Sequence, residues 1–398
     1  MELERRLRTL SRETGRQVDS AGGDLAARIR RLRPGPAGAG APRRTGDEKT
    51  LLAASGGRRL APGLILVERR IPLDRPHGRL PLAWLAEPGP ALAEAAGLGA
   101  ADLVFLDTET SGLAGGTGTQ VFLLGLARLQ GRALWLRQYL LTRFAGEPEL
   151  YRQAGAWLGD ARSLASYNGR SFDAPLLAAR ARLTGVADAL YGIPHVDLLY
   201  PLRRAFGGRW PDCRLASAER RLLGFERRDD LPGSEAPRAW FDWLQRGDPT
   251  LLPRVLEHNR WDLVSLALLL PVLARVYREP AAWGADAAAI ARGQLRAGRG
   301  DEALALLRDQ RSRLGPDGLL LLAALLKRRG GWVQAGAIWR RLAAAGHARA
   351  SEELAKYHEH VTRQYALALD FAERLPAGAQ SERRRQRLGR KLERLAKV

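Results

Sequence analysis

A chain of 398 residues is too long for one ordinary core and implies two or three domains, and 45% hydrophobic against 27% charged residues makes most of it fold. One cysteine, Cys213, excludes an intrachain disulfide and a cysteine-built zinc site. No apolar leader is present and the longest apolar stretch, about Leu263 to Val276, is broken by Pro271 and Arg275, so a cytoplasmic protein with no membrane span is expected, nucleoid association included. A net charge of +21 favours polyanions, nucleic acid first; GC-rich coding explains arginine over lysine but not 64 basic against 43 acidic side chains.

Residues 1–50 read as a basic tail with a Pro/Gly-rich stretch from Pro34 to Pro42, and residues 1–60 carry fourteen basic and seven acidic side chains. Residues 51–97 read as a β-rich lead-in, with short strands at Leu64–Val67 and Ile71–Leu73. From 98 to 278 strand and helix signals alternate. Strands are expected at Leu103–Leu106, Val121–Leu129 and Leu134–Leu141, the first two joined through Gly115-Gly116-Thr117-Gly118. A helix near Pro148–Leu158, a strand at Ser163–Tyr167 and a helix at Phe172–Leu183 follow. His195–Leu199 reads as a strand or a short helical entry, and Leu215–Leu223 and Leu251–Val276 as helices. Three meandering strands followed by alternating helices and strands indicate a mixed sheet flanked by helices, an α/β or α+β fold.

After about 280 the pattern turns wholly helical. Ala303, Ala335 and Ala366 stand 32 and 31 residues apart, an interval suited to stacked helical hairpins of tetratricopeptide type over 279–375. Residues 376–398 read as a second basic tail, with eight basic and two acidic side chains from 381 onward.

The chemistry begins at Asp107 and Glu109. Residues i and i+2 of a strand share a face, so an apolar run here ends in two like charges pressed together, which demands a cation. Asp173, in Tyr167-Asn168-Gly169-Arg170-Ser171-Phe172-Asp173, lies where a strand ends and a helix begins; taken singly it reads as a helix cap. Asp262 interrupts an apolar helix, and His258, four residues earlier, falls about 40° from it around the axis. Alone, that pair reads as a structural His–Asp bond. Together the four acids can hold two hard divalent ions through oxygen, and His258 can take a proton from water. Asp197 and His195 read as structural support. Of Trp210, Trp240, Trp243 and Trp261, at most one or two are expected to stack on bases.

The order Asp-x-Glu, then Asn-x-x-x-Phe-Asp, then His-x-x-x-Asp resembles the DEDD 3′–5′ exonucleases of the RNase H-like superfamily (the DnaQ-type fold). More closely, Phe105–Leu113, Tyr167–Asp173 and Leu256–Asp262 resemble the bacterial YprB-type branch, in which such a domain precedes a helical repeat region. The resemblance spans about residues 60–375. It implies two Mg²⁺ or Mn²⁺ ions, with Asp107 bridging both, Glu109 and Asp262 completing the site of the nucleophilic water, and Asp173 serving the second ion. It implies that Thr108 and Thr110 contact the terminal nucleotide, Leu113 wedges against its base and Asn168 bonds the strand. One departure stands out. His258 precedes Asp262 by four residues, the spacing of tyrosine-type relatives, rather than five, so it serves either as base or only to orient water.

The expected activity is therefore 3′–5′ exonucleolytic hydrolysis, on single-stranded DNA in DNA repair, with a helicase-type or other repair partner for the helices. The competing readings are an RNA-trimming exonuclease or structure-selective endonuclease on the same site, and a non-enzymatic nucleic-acid-binding scaffold.

Overall fold

The computed structural model describes residues 48–87, 92, 98–112, 118–159 and 161–396. The N-terminal tail through residue 47, the Gly115–Thr117 turn and Leu113 lie outside the described residues. The chain forms two compact units that divide between Arg278 and Glu279.

The first unit opens with helix α1 (Glu48–Ser55) and strands β1 (Arg58–Ala61) and β2 (Leu64–Pro72), then a two-stranded ribbon, β3 (Pro76–His77) and β4 (Leu80–Pro81). Strands β5 (Leu103–Thr110), β6 (Val121–Gln130) and β7 (Ala133–Leu141) form the meander. Helix α2 (Glu147–Leu158) leads to β8 (Ser163–Ser166), and α3 (Asp173–Leu183) to β9 (His195–Asp197). Helices α4 (Leu199–Phe206), α5 (Leu215–Ala218, continued by a π turn through Leu223), α6 (Ala236–Arg246) and the 27-residue α7 (Leu252–Arg278) complete it.

The strands make one seven-stranded mixed sheet in the order β1-β2-β7-β6-β5-β8-β9, with β5, β8 and β9 parallel and the rest antiparallel. The lead-in segment is thus part of the main sheet. The two short strands expected at Leu64–Val67 and Ile71–Leu73 are one strand, β2, paired to β7 without a break from Leu64↔Leu141 to Pro72↔Ala133. The charged run Glu68-Arg69-Arg70 hides this in the sequence. It faces solvent, and Glu68 accepts from Arg58 and from Arg137 on β7, so the pairing continues beneath ion pairs.

Alternation along β5 and β6 assigns the faces. Leu106, Leu124 and Leu126 meet Tyr151, Ala154 and Leu158 of α2 and Leu177 and Ala181 of α3. Asp107 and Gly125 face the other way, toward α7, which packs across β5, β6 and β7. Helix α6, unexpected from the sequence, seats Trp240 and Trp243 in the core, their indoles donating to the carbonyls of Leu141 and Thr142 at 2.7 and 3.0 Å. Trp210 stacks on Phe206, and Trp261 meets Phe225 edge-on. Among the described residues no helix is long and apolar enough to cross a membrane.

The second unit is a run of seven helices, α8 (Ala287–Arg296), α9 (Gly300–Asp309), α10 (Pro316–Arg328), α11 (Trp332–Ala344), α12 (Ala348–His360), α13 (Tyr365–Glu373) and α14 (Ala379–Leu395), each packed on the one before it. Ala303 and Ala335 are fully buried where helices approach, but Ala366 is exposed; Ala368 and Ala372 fill that position on α13. The small-residue spacing therefore slips by two at the third member. The segment read as a C-terminal tail is mostly helix α14, whose Leu388 and Arg384 are buried. It packs because Glu359, buried on α12, accepts from Arg387 through both oxygens at 2.7 Å and from Lys391 at 2.9 Å.

Burial would push the Glu359 carboxyl up, but these bonds from Arg387 and Lys391 hold it down at about 2. A depressed folded-state value adds stability that is fully present above the unfolded carboxyl's value and is lost as pH falls through about 2. Acid titration of the whole chain should therefore show helix loss between pH ~4.5 and ~2. Glu359→Gln should cost about 1–2 kcal/mol at neutral pH, discounted for two part-exposed cations, and should flatten that acid limb in circular dichroism melts.

Candidate metal centre

Strand β5 is buried through Leu106, and its last four residues, Asp107 to Thr110, emerge half-buried at the sheet edge. The backbone places Asp107 beside Gly125 and Glu109 beside Leu123 on β6. Across the sheet face, His258 and Asp262 stand one turn apart on α7. Imidazole Nε2 lies 3.3 Å from Asp262 Oδ2 and 4.0 Å from Glu109 Oε1. Glu109, His258 and Asp262 each offer a ligand atom within 4.8 Å of the others.

Asp173 arrives from the opposite face. The residue before it, Phe172, occupies the helix N-cap position of α3, and no side chain caps that end. Asp173 is the first residue of that helix rather than its cap. Its carboxylate instead accepts a hydrogen bond from the Thr108 hydroxyl, which leaves β5 on the α3 side. Burial and the charges of Asp262, Glu109 and Asp173 push the Asp107 carboxyl well above the usual carboxylate range, against a lowering bond from Asn259. The four acids singled out in the sequence thus share one electrostatic site.

Beside them lies a polar network absent from the sequence reading. Asn259, fully buried, donates to Asp107 Oδ2 at 2.8 Å and accepts from Gln138 of β7 at 2.9 Å. Gly125 makes this approach possible, since a Cβ there would overlap the Asn259 amide. Asp230, in the loop before α6, accepts from His258 Nδ1 at 2.7 Å. That bond assigns the ring proton to Nδ1 and leaves Nε2 facing the acids. Burial lowers the His258 pKa, but Asp262 and Glu109 outweigh it, and the net shift is upward.

Arg227 is the fixed cation of the site. Its guanidinium bonds Glu219 through Nε and a terminal nitrogen, both at 2.8 Å, reaches Asp230 at 3.4 Å, and also pairs with Asp262. Burial would lower the Arg227 pKa, but Asp262 and Glu219 raise it well above the ordinary value. Glu219 sits on the π turn after α5, and burial holds its own carboxyl up despite Arg227. Ser265 of α7 donates to Glu219 at 2.5 Å and lies 2.7 Å from His77 of the β3 ribbon. The sequence reads Leu215–Leu223 only as a helix, and nothing in it singles out Glu219 or Arg227.

The turn carrying Asn168 is also fastened. Asp197 accepts from the backbone N–H groups of Asn168, Arg170 and Leu199 at 2.7, 3.2 and 3.1 Å. Asn168 itself adopts a left-handed φ of 66°, a conformation asparagine tolerates. Gly169 is required beside it, because a Cβ would overlap Ser166 and crowd Asp173 Oδ2 at 2.8 Å. His195 contacts the Ser166 hydroxyl at 2.7 Å and has its pKa lowered by burial. Of the residues expected at substrate, Thr110 donates to the Gly112 carbonyl at 3.1 Å, Thr108 is engaged with Asp173, and Leu113 lies outside the described residues.

This donor set suits hard divalent cations. It is all carboxylate oxygen plus one imidazole, it concentrates negative charge, and the Arg227 guanidinium beside it is already shared with Glu219.

Comparison with known proteins bears on this arrangement. A model of the RNase_H superfamily matches residues 104–274, a span from β5 into α7 that includes all four acids. The uncharacterized protein YprB of Bacillus subtilis (strain 168) is 32% identical over 309 residues, which covers 74% of this chain and 74% of that one. Among solved structures, the family B DNA polymerase of the hyperthermophilic archaeon Pyrobaculum calidifontis is similar at 14% identity and a TM-score of 0.35, over 70% of this chain and 35% of the polymerase.

Gly125→Ala should push α7 off the sheet and break the Asn259–Asp107 bond. The expected cost is about 1–3 kcal/mol, read in denaturant melts, because backbone and a short amide must move to relieve the overlap. An unchanged melt would show that α7 does not need this close approach.

Proposed function

The chain belongs to the RNase H superfamily, in the family of YprB, and on that premise we propose that its first unit is a divalent-metal-dependent 3′–5′ exonuclease of the DEDD type. Its substrate in this reading is single-stranded DNA in a repair setting, in the cytoplasm or at the nucleoid, and its products are nucleoside 5′-monophosphates. The observation that carries the reading is the crowding of the Asp107 carboxyl by three other carboxylates, beside a histidine that stands with Glu109 and Asp262 within 4.8 Å and whose Nδ1 is already committed. No fold gains by that concentration of like charge unless a cation completes it.

Asp107, Glu109 and Asp262 are the residues to hold one Mg²⁺ or Mn²⁺, and Asp107 with Asp173 the other. Bound there, such a pair supplies an acidified water and a charge to stabilise the leaving 3′ oxygen. The chain's own groups supply the rest. His258 takes the water proton at Nε2, while Asp230 keeps the other ring proton at Nδ1 and fixes the ring's direction. Asn259 orients Asp107, and Thr108 orients Asp173. Arg227 pairs with Asp262 and fixes its direction. Thr110, Leu113 and Asn168 are assigned to the terminal nucleotide. In the same reading the second unit is a tetratricopeptide-like scaffold for a helicase or other repair protein.

The test is a time course on 3′- and 5′-labelled single- and double-stranded DNA and RNA with Mg²⁺, Mn²⁺ or EDTA. Stepwise loss of 3′ label as mononucleotide, abolished by EDTA, is expected. Asp107→Asn and Asp262→Ala should lower turnover on the order of a thousandfold. Asp107→Asn should not lower the melting temperature of the metal-free chain, because it removes one of four mutually repelling charges. Internal cuts on an end-blocked substrate would replace the exonuclease reading with an endonuclease one. Digestion by Asp107→Asn at the wild-type rate would remove the metal site altogether.

A further inference from the structure

We infer that helix α14 is a second nucleic-acid contact, separate from the metal centre, where Arg383, Arg390 and Arg394 hold a strand by its phosphates. With Arg387 they step by four, three and four residues, so they fall within about 60° of one another around the helix. Arg383, Arg390 and Arg394 are exposed, and among the described residues none of them forms an ion pair.

The face is held in place. Leu388 and Arg384 are buried, Arg384 reaches the Glu352 carbonyl at 3.3 Å, and Arg387 and Lys391 grip Glu359. Anchoring on the inner side leaves the outer side a rigid row of positive charge. No acid stands in that row: Glu382 is engaged by Arg385, and Glu393 lies about 80° away. From Arg383 to Arg394 the row is about 16 Å long at 1.5 Å per residue. One strand of a B-form duplex presents about five phosphates over that length, at roughly 3.4 Å each.

A polyanionic strand fits this face better than a membrane does. Helices that lie in bilayers show an apolar face beside the basic one. Here Leu388 is buried and Leu392 half-buried within the unit, which leaves Leu395 as the one exposed large apolar side chain of the helix. The row reads no base edge, so the contact it offers is to backbone and independent of sequence.

The test uses the full chain in EDTA, so its outcome stands apart from whether the first unit hydrolyses anything. Fluorescence anisotropy on a labelled 20-nucleotide single strand is followed against salt for wild type, for Arg383→Gln/Arg390→Gln/Arg394→Gln, and for the control triple Arg308→Gln/Arg328→Gln/Arg341→Gln. The control removes equal charge from exposed positions on α9, α10 and α11. The α14 triple should flatten the slope of log affinity against log salt by about 2, at roughly 0.7 per phosphate released, and weaken binding about tenfold near 0.1 M salt. The control should stay within about twofold. Equal losses in both triples would reduce the effect to net charge and overturn the proposal, as would no loss in either. Loss of binding to phosphatidylserine vesicles, with oligonucleotide binding intact, would overturn it in favour of a membrane surface.

Discussion

Mutual repulsion among Asp107, Glu109, Asp173 and Asp262 is the constraint around which the first unit is arranged. The four acids come from three parts of the chain: Asp107 and Glu109 from a strand end, Asp173 from a strand–helix junction and Asp262 from a late helix. Left alone they would separate or protonate, and Asp107 already leans toward protonation. Hydrogen bonds from uncharged neighbours, and one clamp on the backbone, keep them together. Asn259 ties Asp107 to β7 through Gln138, Thr108 ties Asp173 to β5, and Asp197 clamps the backbone beneath Asn168. Arg227, the guanidinium of the network, is divided among Glu219, Asp230 and Asp262, so the site keeps an appetite for positive charge that hard ions can meet.

The pattern of these acids was legible in the sequence because local geometry determines it. Strand period two puts Asp107 and Glu109 on one face, and a helical turn puts His258 beside Asp262. The supporting groups were not legible. Asp230 and His258 are 28 residues apart, Gln138 and Asn259 are 121 apart, and a polar pair across such distances leaves no local signature. Asn259 stood in view next to His258, but nothing in the sequence separates an asparagine that orients a ligand from one that faces solvent.

Two of the elements that differ from the sequence reading, β2 and α14, do so for one cause. A charged run resembles a tail or an interruption when the acid or base that answers it lies far along the chain. In β2 the Glu68–Arg70 run is answered by Arg58 and Arg137. In α14 the basic positions that looked like a tail are answered by Glu359 on another helix. The alanine spacing of the helical unit held for Ala303 and Ala335 and slipped at Ala366, because α13 is shorter and presents Ala368 to its neighbour instead.

The bond from Asn259 to Asp107 spans 152 residues. Contacts of that separation form late, after nearer ones have shortened the loop between them. During synthesis the sheet strands and α3 leave the ribosome long before α7 does. A growing chain therefore carries Asp107, Glu109 and Asp173 but lacks Asp262 and the histidine. In the proposed reading no part-made copy can cut nucleic acid. The order of elements along the chain delays the activity until the unit that confines it is complete.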